Sequence, residues 1–370
     1  MPADSGIFIF GNGAFDFGRK ATGRNRREGS RTMEDKNLTI ADIAQELGVS
    51  KTTVSRAMSG KGRIGEETRK RVQAYIETHH YSPNVVAKGL AQSKTFNLGL
   101  VLPGDYQVVE LPFFQKCMMG ISRTASEAGY DVLLSMVTAD QITQLERAVT
   151  NRKIDGAILT RTLKDDAPMR YLQENGVPFV AIGSTDDAGA VQIDNDHREA
   201  CRELTGRLLD GGTKSFALIG GREEHMVTKN RLLGFEDAFG ERPDWHGSRR
   251  VFLNVEDDRA VEKIVEGLLE EQVGCIVCMD DYLCGCVLNV MQTRQISVPE
   301  QVQVVSFYDS TVLENRIPAI TSIRFDVEAL GKRACGLLLQ ILDGAEVERH
   351  TLLGYEVRMR ESTKSFSQSY

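Results

Sequence analysis

The residues whose types and spacing could do chemistry are concentrated in the segment 47-LGVSKTTVSRAMSG-60. Its spacing predicts a short helix that begins after Ser50, ends near Gly60 and turns one face outward. The apolar side chains of the inward face are Val54, Ala57 and Met58. The polar side chains of the outward face are Lys51, Thr52, Ser55 and Arg56. Lysine and arginine donate hydrogen bonds to guanine O6 and N7, and threonine bonds a base or touches a thymine methyl group. The pattern therefore indicates recognition of base edges rather than catalysis.

Two further predicted helices must position this outward face. In the first, apolar residues repeat at helical spacing, Thr39 and Asp42 form an opening like a capping box, and Gly48 ends the helix. A third helix begins at about Gly65, and its apolar stripe is predicted to be Val72, Tyr75, Ile76 and His79. Helix, glycine turn, helix and supporting helix make a helix-turn-helix unit, whose second helix enters the major groove of DNA. The alternative is a small helical bundle whose polar residues are merely solvated.

Beyond the hinge region the sequence alternates between short apolar strands and helical segments. The predicted strands lie in FNLGLVLP, YDVLLSMV, DGAILT, PFVAIG, SFALIGG, GCIVCMD, VQVVSFYD and ITSIRF. Continuous apolar strands separated by helices are typical of parallel sheets that are covered on both faces. The predicted fold is therefore an all-α helix-turn-helix head with a hinge helix, joined to an α/β body of two doubly wound parallel-sheet lobes with a cleft between them.

Charge is unevenly distributed along the 370 residues, whose formal net charge is −7. Residues 1–32 and 33–94 each carry +3, whereas residues 95–370 carry −13. A basic head on an acidic body favours a polyanionic partner for the head. No apolar run reaches the roughly 18 residues that a membrane helix needs, so a cytoplasmic protein without a membrane partner is predicted.

The seven cysteines, in a chain without a secretion signal, favour reduced thiols. Within 274-GCIVCMDDYLCGC-286, Cys275 and Cys278 lie on a predicted strand, where residues three apart face opposite ways. Buried thiols are therefore favoured over a zinc or redox site. The sequence contains no GxSxG, HExxH or GxxxxGK(S/T) motif. No cofactor, metal or catalytic residue is predicted, and we expect the protein not to be an enzyme.

The segment from Thr39 to Thr95 resembles the DNA-binding head and hinge of the lactose/galactose-repressor (LacI/GalR) family of bacterial transcription regulators. The resemblance continues, in the family's order, through 112-PFF-114, 155-DGAIL-159, 193-IDN-195, 231-RLLGF-235, 298-VPEQVQVVSF-307 and 320-ITSIRFD-326. It covers about residues 37–361. It implies a body similar to a periplasmic sugar-binding protein.

For DNA, the resemblance assigns the choice of bases to Lys51 and Thr52, with Arg56 as a further reader. The residues expected to contact phosphates or to cap helices are Thr39, Ser50 and Thr53. The hinge is expected to fold only when something else orders it, since so short a helix is marginal in water. The hinge residues expected at the DNA are Asn84, Ala87 and Leu90. Of these, Leu90 would wedge between base steps of the minor groove. An ordinary flexible linker is the alternative.

For the cleft, the resemblance implies ligand contacts from Phe113, Phe114, Asp194, Arg231, Asp280 and Tyr308. The phenylalanines would supply an apolar wall, Arg231 would donate to ligand oxygens, and the aspartates would accept from hydroxyl groups. The phenylalanines could instead pack the first helix of the body, and Arg231 could form an ion pair on a lobe surface. The chain departs from the family pattern at three positions: Tyr308 replaces an acidic residue, Val227 replaces a serine, and Gly183 replaces an aspartate. Fewer acceptors and an added aromatic ring favour a modified, larger or less polar sugar.

The predicted organisation has five parts: a disordered extension with Met33 as a candidate start, a head, a hinge, a ligand-binding and dimerisation body, and a flexible tail. Their bounds are 1–36, 37–81, 82–95, 96–361 and 362–370. The predicted function is repression of a carbohydrate-utilisation operon by a homodimer that binds a pseudo-palindromic operator and responds to a small ligand, expected to be a sugar or derivative. The alternative is a soluble sugar-binding receptor or enzyme whose basic head binds nucleic acid only loosely.

Overall fold

A computed structural model describes residues 38–60, 62–79, 81, 89, 92–104, 112–138 and 141–364. The chain divides into two compact units, Met1–Val85 and Val86–Tyr370. The expected disordered extension lies outside the described residues, as do the expected hinge contacts Asn84, Ala87 and Leu90.

In its described part, the first unit consists of helices α1 (Ile40–Glu46), α2 (Lys51–Ser59) and α3 (Glu66–Thr78). Thr39 and Asp42 form the predicted capping box: the Thr39 amide donates to Asp42 Oδ2 (2.9 Å), and the Asp42 amide donates to Thr39 Oγ1 (3.3 Å). Gly48 and Gly60 follow α1 and α2 in the left-handed region, with φ of 65° and 69°. The buried core of this unit is Ile43, Ala44, Val54, Ala57 and Val72.

His79 does not belong to the apolar stripe of α3, contrary to the prediction from spacing. The helix ends at Thr78, and His79 is its exposed C-cap residue, with Nδ1 2.9 Å from the Tyr75 carbonyl oxygen. The imidazole stacks on the Tyr75 ring, with centroids 4.0 Å apart. Spacing thus placed the ring beside Tyr75, but the helix ends before His79, so the side chain is exposed rather than part of the packed stripe.

The second unit is built from strands and helices that largely alternate. Its strands are β1 (Asn97–Pro103), β2 (Asp131–Val137), β3 (Gly156–Leu159), β4 (Phe179–Ile182), β5 (Val191–Asn195), β6 (Ser215–Ile219), β7 (Ser248–Phe252), β8 (Cys275–Cys278), β9 (Gln303–Ser306), β10 (Thr321–Arg324), β11 (His350–Leu353) and β12 (Glu356–Arg358). Its helices are α4 (Pro112–Glu127), α5 (Thr143–Thr150), α6 (Ala167–Glu174), α7 (His197–Asp210), α8 (Met226–Gly240), α9 (Asp258–Glu270), α10 (Asp281–Thr293), α11 (Thr311–Glu314) and α12 (Val327–Leu342).

Two six-stranded sheets organise these elements into two lobes, as predicted. The first sheet has the order β11-β5-β4-β3-β1-β2, and the second has the order β12-β10-β9-β8-β6-β7. Neighbouring strands are parallel except that β12 runs antiparallel to β10. All eight predicted strands are present. Four others, β5, β7, β11 and β12, were not predicted, because their sequences are polar or charged and three of them lie at sheet edges.

The chain crosses between the lobes three times. The crossings follow β5, β10 and β11 and lead into α7, α12 and β12 respectively. In the first lobe, α4 and α12 pack against each other. The approach is so close at Gly120 that an added Cβ there would collide with the Glu328 carbonyl oxygen. The crossings bring the ends of β5 and β10 to the boundary between the lobes, where the cleft residues are found.

The predicted flexible tail begins too early. Ser362 and Thr363 are buried. Ser362 Oγ donates to the Val304 carbonyl oxygen (2.6 Å) and accepts from the Thr321 amide (2.8 Å). The ordered body therefore extends beyond residue 361, and its polar end was mistaken for a tail because its hydrogen-bond partners lie about forty or more residues away in sequence. Among the described residues, no helix is both long enough and apolar enough to cross a membrane.

Candidate nucleic-acid interface and ligand cleft

The outward face of α2 carries the donors that the sequence predicted. Lys51, Thr52, Ser55 and Arg56 are exposed, whereas Val54 and Ala57 are buried and Met58 is half-buried. The Ser50 side chain caps the helix by accepting from the Thr53 amide (3.1 Å), and the Ser50 and Thr53 hydroxyl oxygens are 2.8 Å apart. The inward residues thus fix the roll of α2, and the cap fixes its start. The result is a short helix that offers donors at its N-terminal end and along one face.

The third helix supports this arrangement. Arg71 of α3 donates through Nη2 to the Leu47 carbonyl oxygen (3.2 Å), at the turn between α1 and α2. A backbone carbonyl at the end of a helix has no intrahelical partner, so this bond satisfies it and ties the turn to α3. The turn geometry that sets α2 relative to α1 is therefore held by both Gly48 and Arg71.

Arg231 is buried on α8 and is directed at the carboxyl end of β8. It is 8% exposed, and its Nη1 donates to the Met279 carbonyl oxygen. No partner for Arg231 Nε is found among the described residues. The alternative of an ion pair on a lobe surface is therefore wrong, since the side chain is inside and its acceptor is a backbone carbonyl. A buried guanidinium with an unmet donor is suited to bind a ligand oxygen.

The two predicted acceptor carboxylates already have protein partners. Asp280 caps α10, where its Oδ1 accepts from the Leu283 amide (2.8 Å). Burial raises the pKa of Asp280, and the Leu283 hydrogen bond and the charge of Arg231 oppose the rise. Asp194 is buried and accepts from the backbone amides of Ser184 (3.1 Å) and Asn195 (2.8 Å). Both carboxylates are thus held in place by backbone donors.

His197 was missed by the sequence reasoning. It lies at the first position of α7, and its Nε2 is 3.4 Å from Asp194 Oδ1. Burial lowers the pKa of His197, although Asp194 partly offsets the effect. Its ring makes a T-shaped contact with Phe325, centroids 4.7 Å apart. The only signal in the sequence was a histidine three residues after a predicted cleft aspartate.

Aromatic rings from both lobes meet at Tyr308. The Phe113 ring of α4 is T-shaped to the Tyr308 ring with centroids 6.3 Å apart, and the Phe325 ring is stacked with the Tyr308 ring at 6.4 Å. Phe114 is buried in the core, as the packing alternative proposed, whereas Phe113 is only half-buried and lies between Phe114 and Tyr308. Burial raises the pKa of Tyr308, so its hydroxyl stays protonated and is a donor.

Asp309, the acid next to Tyr308, is not available to a ligand. Arg360 forms a two-pronged pair with it, with Nη1–Oδ1 and Nη2–Oδ2 distances of 2.8 Å each, and Ser322 Oγ donates to it at 2.8 Å. Burial works against ionisation of Asp309, but these hydrogen bonds prevail and hold its pKa below the ordinary value.

Backbone groups join the lobes at the rim of the cleft. A loop after β3 and a loop after β6 form a short antiparallel bridge. In it the Lys164 amide donates to the Glu224 carbonyl oxygen (3.0 Å), and the Met226 amide donates to the Thr162 carbonyl oxygen (3.1 Å). The lobes are therefore connected by main-chain hydrogen bonds here, in addition to the three chain crossings.

Side chains add to this connection. Asn230 Nδ2 donates to Ser184 Oγ (2.5 Å), and Lys229 Nζ lies 3.1 Å from Asp186 Oδ2. The neighbouring Gly183 has a φ of 120°, and a Cβ there would lie 2.5 Å from Thr162 Oγ1. An aspartate at this position would not fit without movement of Thr162. We call these backbone and side-chain bonds together the rim contacts.

The seven cysteines are buried thiols, which agrees with the sequence interpretation. In the part of the chain that the structure describes, no group of three or more His, Cys, Asp or Glu residues could hold a metal ion.

A helix-turn-helix head and a two-lobed, doubly wound α/β body in one chain define a class of DNA-binding regulators with a periplasmic-binding-protein-like body. Residues 39–84 match the model of bacterial regulatory proteins of the lacI family, and residues 205–363 match a periplasmic binding protein-like domain. HTH-type transcriptional regulator MalR of Streptococcus pneumoniae serotype 4 is 30% identical over 312 residues, which are 83% of this chain and 93% of MalR. The chain belongs to the lacI family. It is a DNA-binding transcription regulator and not an enzyme.

Two solved structures show the same architecture. The lac repressor dimer bound to operator and the anti-inducer ONPF has a TM-score of 0.73 at 23% identity, covering 89% of this chain and 100% of that one. The complex of transcriptional regulator CelR with cellobiose has a TM-score of 0.64 at 26% identity, covering 88% and 99%. The predicted family and fold class are confirmed.

Proposed function

We propose that this regulator represses a carbohydrate-utilisation operon from the cytoplasm, as a homodimer on a pseudo-palindromic operator, under the control of a sugar or sugar derivative in the cleft. The observation that carries the proposal is the buried Arg231, whose free Nε lies in a body similar to that of a regulator solved with cellobiose. A guanidinium donates hydrogen bonds to oxygen acceptors from a planar fork of fixed geometry.

On DNA, Lys51 and Thr52 are proposed to choose the bases and Arg56 to extend the reading, because these exposed donors share the outward face of α2. The residues proposed to position the head on phosphates, or next to them, are Thr39, Ser50, Thr53 and Ser55. In the hinge, Asn84, Ala87 and Leu90 are proposed to reach the minor groove. We propose a head over 37–81, a hinge over 82–95 and a body from 96 to 364.

Exposed apolar side chains support a homodimer. In the first lobe, Met119 of α4 and Leu134 and Met136 of the edge strand β2 are 54%, 52% and 43% exposed. In the second lobe, Tyr282 and Ile317 are also exposed. A self-complementary contact between two copies would cover such patches and would set the two heads on the half-sites of a symmetric operator.

In the cleft, Phe113, Tyr308 and Arg231 are proposed to contact the ligand directly. Asp194 and Asp280 are proposed to accept from ligand hydroxyl groups with the lone pairs that their backbone donors leave, and Phe114 is proposed to support Phe113. A ligand that binds the two arrangements of the lobes unequally would shift the balance between them, and with it the order of the hinges.

Selection of bound sites from random duplex DNA tests the proposal. The wild-type chain should enrich a two-fold symmetric site with a steep dependence on salt. The variant Lys51→Ala with Thr52→Ala should lose preference at specific positions of the half-site, because it lacks the base-reading donors. Lys70→Ala, an exposed charge on α3, is the control and should keep the wild-type site. An unchanged preference in the double variant refutes the base-reading role, and a wild-type chain that enriches no site favours the receptor alternative.

A further inference from the structure

The chain enters the body through two sharp turns just before β1. Ser93 and Phe96 both lie in the left-handed region, with φ of 51° and 56°. Few residues other than glycine adopt this conformation, and it costs energy at a bulky side chain such as phenylalanine. It persists only where the surrounding structure holds it. The junction between the predicted hinge and the body must therefore be held by bonds from outside the turns.

One carboxylate supplies those bonds. Asp155, directly before β3, is half-buried and accepts from the Thr95 amide at Oδ1 (2.6 Å) and from the Phe96 amide at Oδ2 (3.0 Å). Thr95 Oγ1 also donates to Asp155 Oδ1 (2.8 Å) and accepts from the Asn97 amide (3.1 Å). The Asp155 amide donates to the Asn97 carbonyl oxygen (2.9 Å), which ties its own backbone to β1. Hydrogen bonds to an ionised acceptor are stronger than those between neutral groups, so Asp155 clamps the junction to the sheet of the first lobe.

Two further contacts at this junction are weaker. Lys94 Nζ lies 3.5 Å from Asp343 Oδ1, but the Asp343 side chain is 77% exposed, so the pair contributes little. The Phe96 ring packs at a tilt on the Tyr130 ring, with centroids 5.5 Å apart. The half-buried Asp155 is therefore the main polar attachment of the junction to the body.

The same turn bonds back to the hinge. Gly89 is helical, and the Lys94 amide donates to its carbonyl oxygen (3.0 Å) across the left-handed Ser93. This is the bond pattern of a helix C-terminus, where it satisfies a carbonyl that has no intrahelical partner. Gly89 leaves room for it, because a Cβ there would lie 2.5 Å from the Lys94 carbonyl oxygen. Since Lys94 is adjacent to Thr95, loss of the Asp155 bonds would release this end of the hinge as well.

Resting on the proposed role of the hinge on DNA, we propose that Asp155 is a positioning residue for operator binding, which holds the end of the hinge in order on the body before DNA is bound. A short helix is marginal in water, so a hinge whose end is already fixed loses less conformational entropy when it folds on the minor groove. In this assignment Asp155 does not touch DNA and leaves the choice of bases to α2.

Amide exchange of the full chain without DNA tests the anchor itself. In Asp155→Asn one oxygen is replaced by an amino group that cannot accept, so the Lys94 amide, which does not bond to Asp155, should exchange about tenfold faster. Asp257→Asn is the matched control, because Asp257 also accepts from a backbone amide, that of Ala260 (2.8 Å), but caps α9 in the second lobe. Unchanged exchange at Lys94 in Asp155→Asn, or equal acceleration in the control, overturns the proposal.

Operator binding tests the consequence. On the site that the wild-type chain selects, Asp155→Asn should bind about tenfold more weakly with the same base preference, as when about one more backbone residue must be ordered on binding. Thr95→Val should also weaken binding, and Thr95→Ser, which keeps the hydroxyl, should bind more tightly than Thr95→Val. A purely structural role would lower the unfolding temperature without changing operator affinity, so wild-type affinity in Asp155→Asn overturns the proposal. A wild-type chain that selects no site overturns the repressor function, and with it the operator part of this proposal, while exchange at Lys94 still reports on the anchor.

Gly89→Ala separates the anchor from helix propensity. Alanine favours a helix more than glycine does, so propensity alone predicts slower exchange at Lys94. The collision of the new Cβ with the Lys94 carbonyl oxygen predicts faster exchange. Gly336→Ala, in open space on α12, is the control and should leave Lys94 unchanged. Slower exchange at Lys94 in Gly89→Ala overturns the assigned closure of the hinge.

Discussion

Asn230 joins the two lobes at the rim of the cleft, and its replacement by alanine tests what holds them together. The side chain of Asn230 donates to Ser184 Oγ across the rim, next to the main-chain bonds made by the amides of Lys164 and Met226. Asn230→Ala removes one of the rim contacts and leaves the backbone bridge in place. The closed arrangement of the lobes should lose stability while each lobe remains folded.

The size of the effect follows from the kind of bond. A half-buried neutral hydrogen bond contributes about 1 kcal/mol net, which is roughly a fivefold change in an equilibrium constant. The neighbouring Lys229–Asp186 pair is 37% and 81% exposed, so its contribution is small and screened by salt. We therefore expect Asn230→Ala to shift the balance between closed and open lobes about fivefold, and Lys229→Ala to shift it less.

Amide hydrogen exchange measures this opening directly. The amides of Lys164 and Met226 donate across the rim, so they exchange when the lobes separate. In Asn230→Ala both should exchange about fivefold faster than in the wild-type chain. Asn289→Ala is the matched control, because Asn289 Oδ1 accepts from Arg316 within the second lobe. Unchanged exchange at both amides, or equal acceleration in the control, would refute the reasoning.

Three further predictions concern stability. Ser50→Ala should destabilise α2 by about 1 kcal/mol, measured as faster amide exchange in that helix, since the N-cap acceptor is lost. Arg360→Met should lower the unfolding free energy by about 3 kcal/mol at neutral pH, because it leaves the Asp309 carboxylate buried without its partner. The folded-state pKa of Asp309 is lowered, so the Asp309–Arg360 pair stabilises the fold fully above the unfolded-state pKa of about 3.9, and this stabilisation is lost as the pH falls through the lowered value. In denaturant titrations, the difference in unfolding free energy between variant and wild type should therefore narrow below about pH 4. Gly120→Ala should cost about 2 kcal/mol by forcing α4 from α12, whereas Gly336→Ala, in open space on α12, should be neutral or stabilising in the same thermal unfolding experiment.

The head could be predicted from sequence nearly residue by residue. Its caps and its buried face depend on residues three or four positions apart, so Thr39, Ser50, Val54 and Ala57 lie where their spacing placed them. The prediction for His79 is the exception, because α3 and its helical period end at Thr78. Apolar runs likewise identified eight strands and the two-lobed fold.

The tertiary structure alone decided which polar groups form hydrogen bonds or ion pairs inside the protein and which are left to bind a ligand. Asp309 is neutralised by Arg360, which is 51 residues away, and Ser362 is drawn into the core by bonds to Val304 and Thr321. The chain crossings bring His197 and Phe325 together, and Arg231 is turned inward rather than onto the surface. Sequence spacing sets the direction of a side chain within its own helix or strand. The partner of a buried charge depends on which strands become neighbours, and that is settled only when the two sheets form.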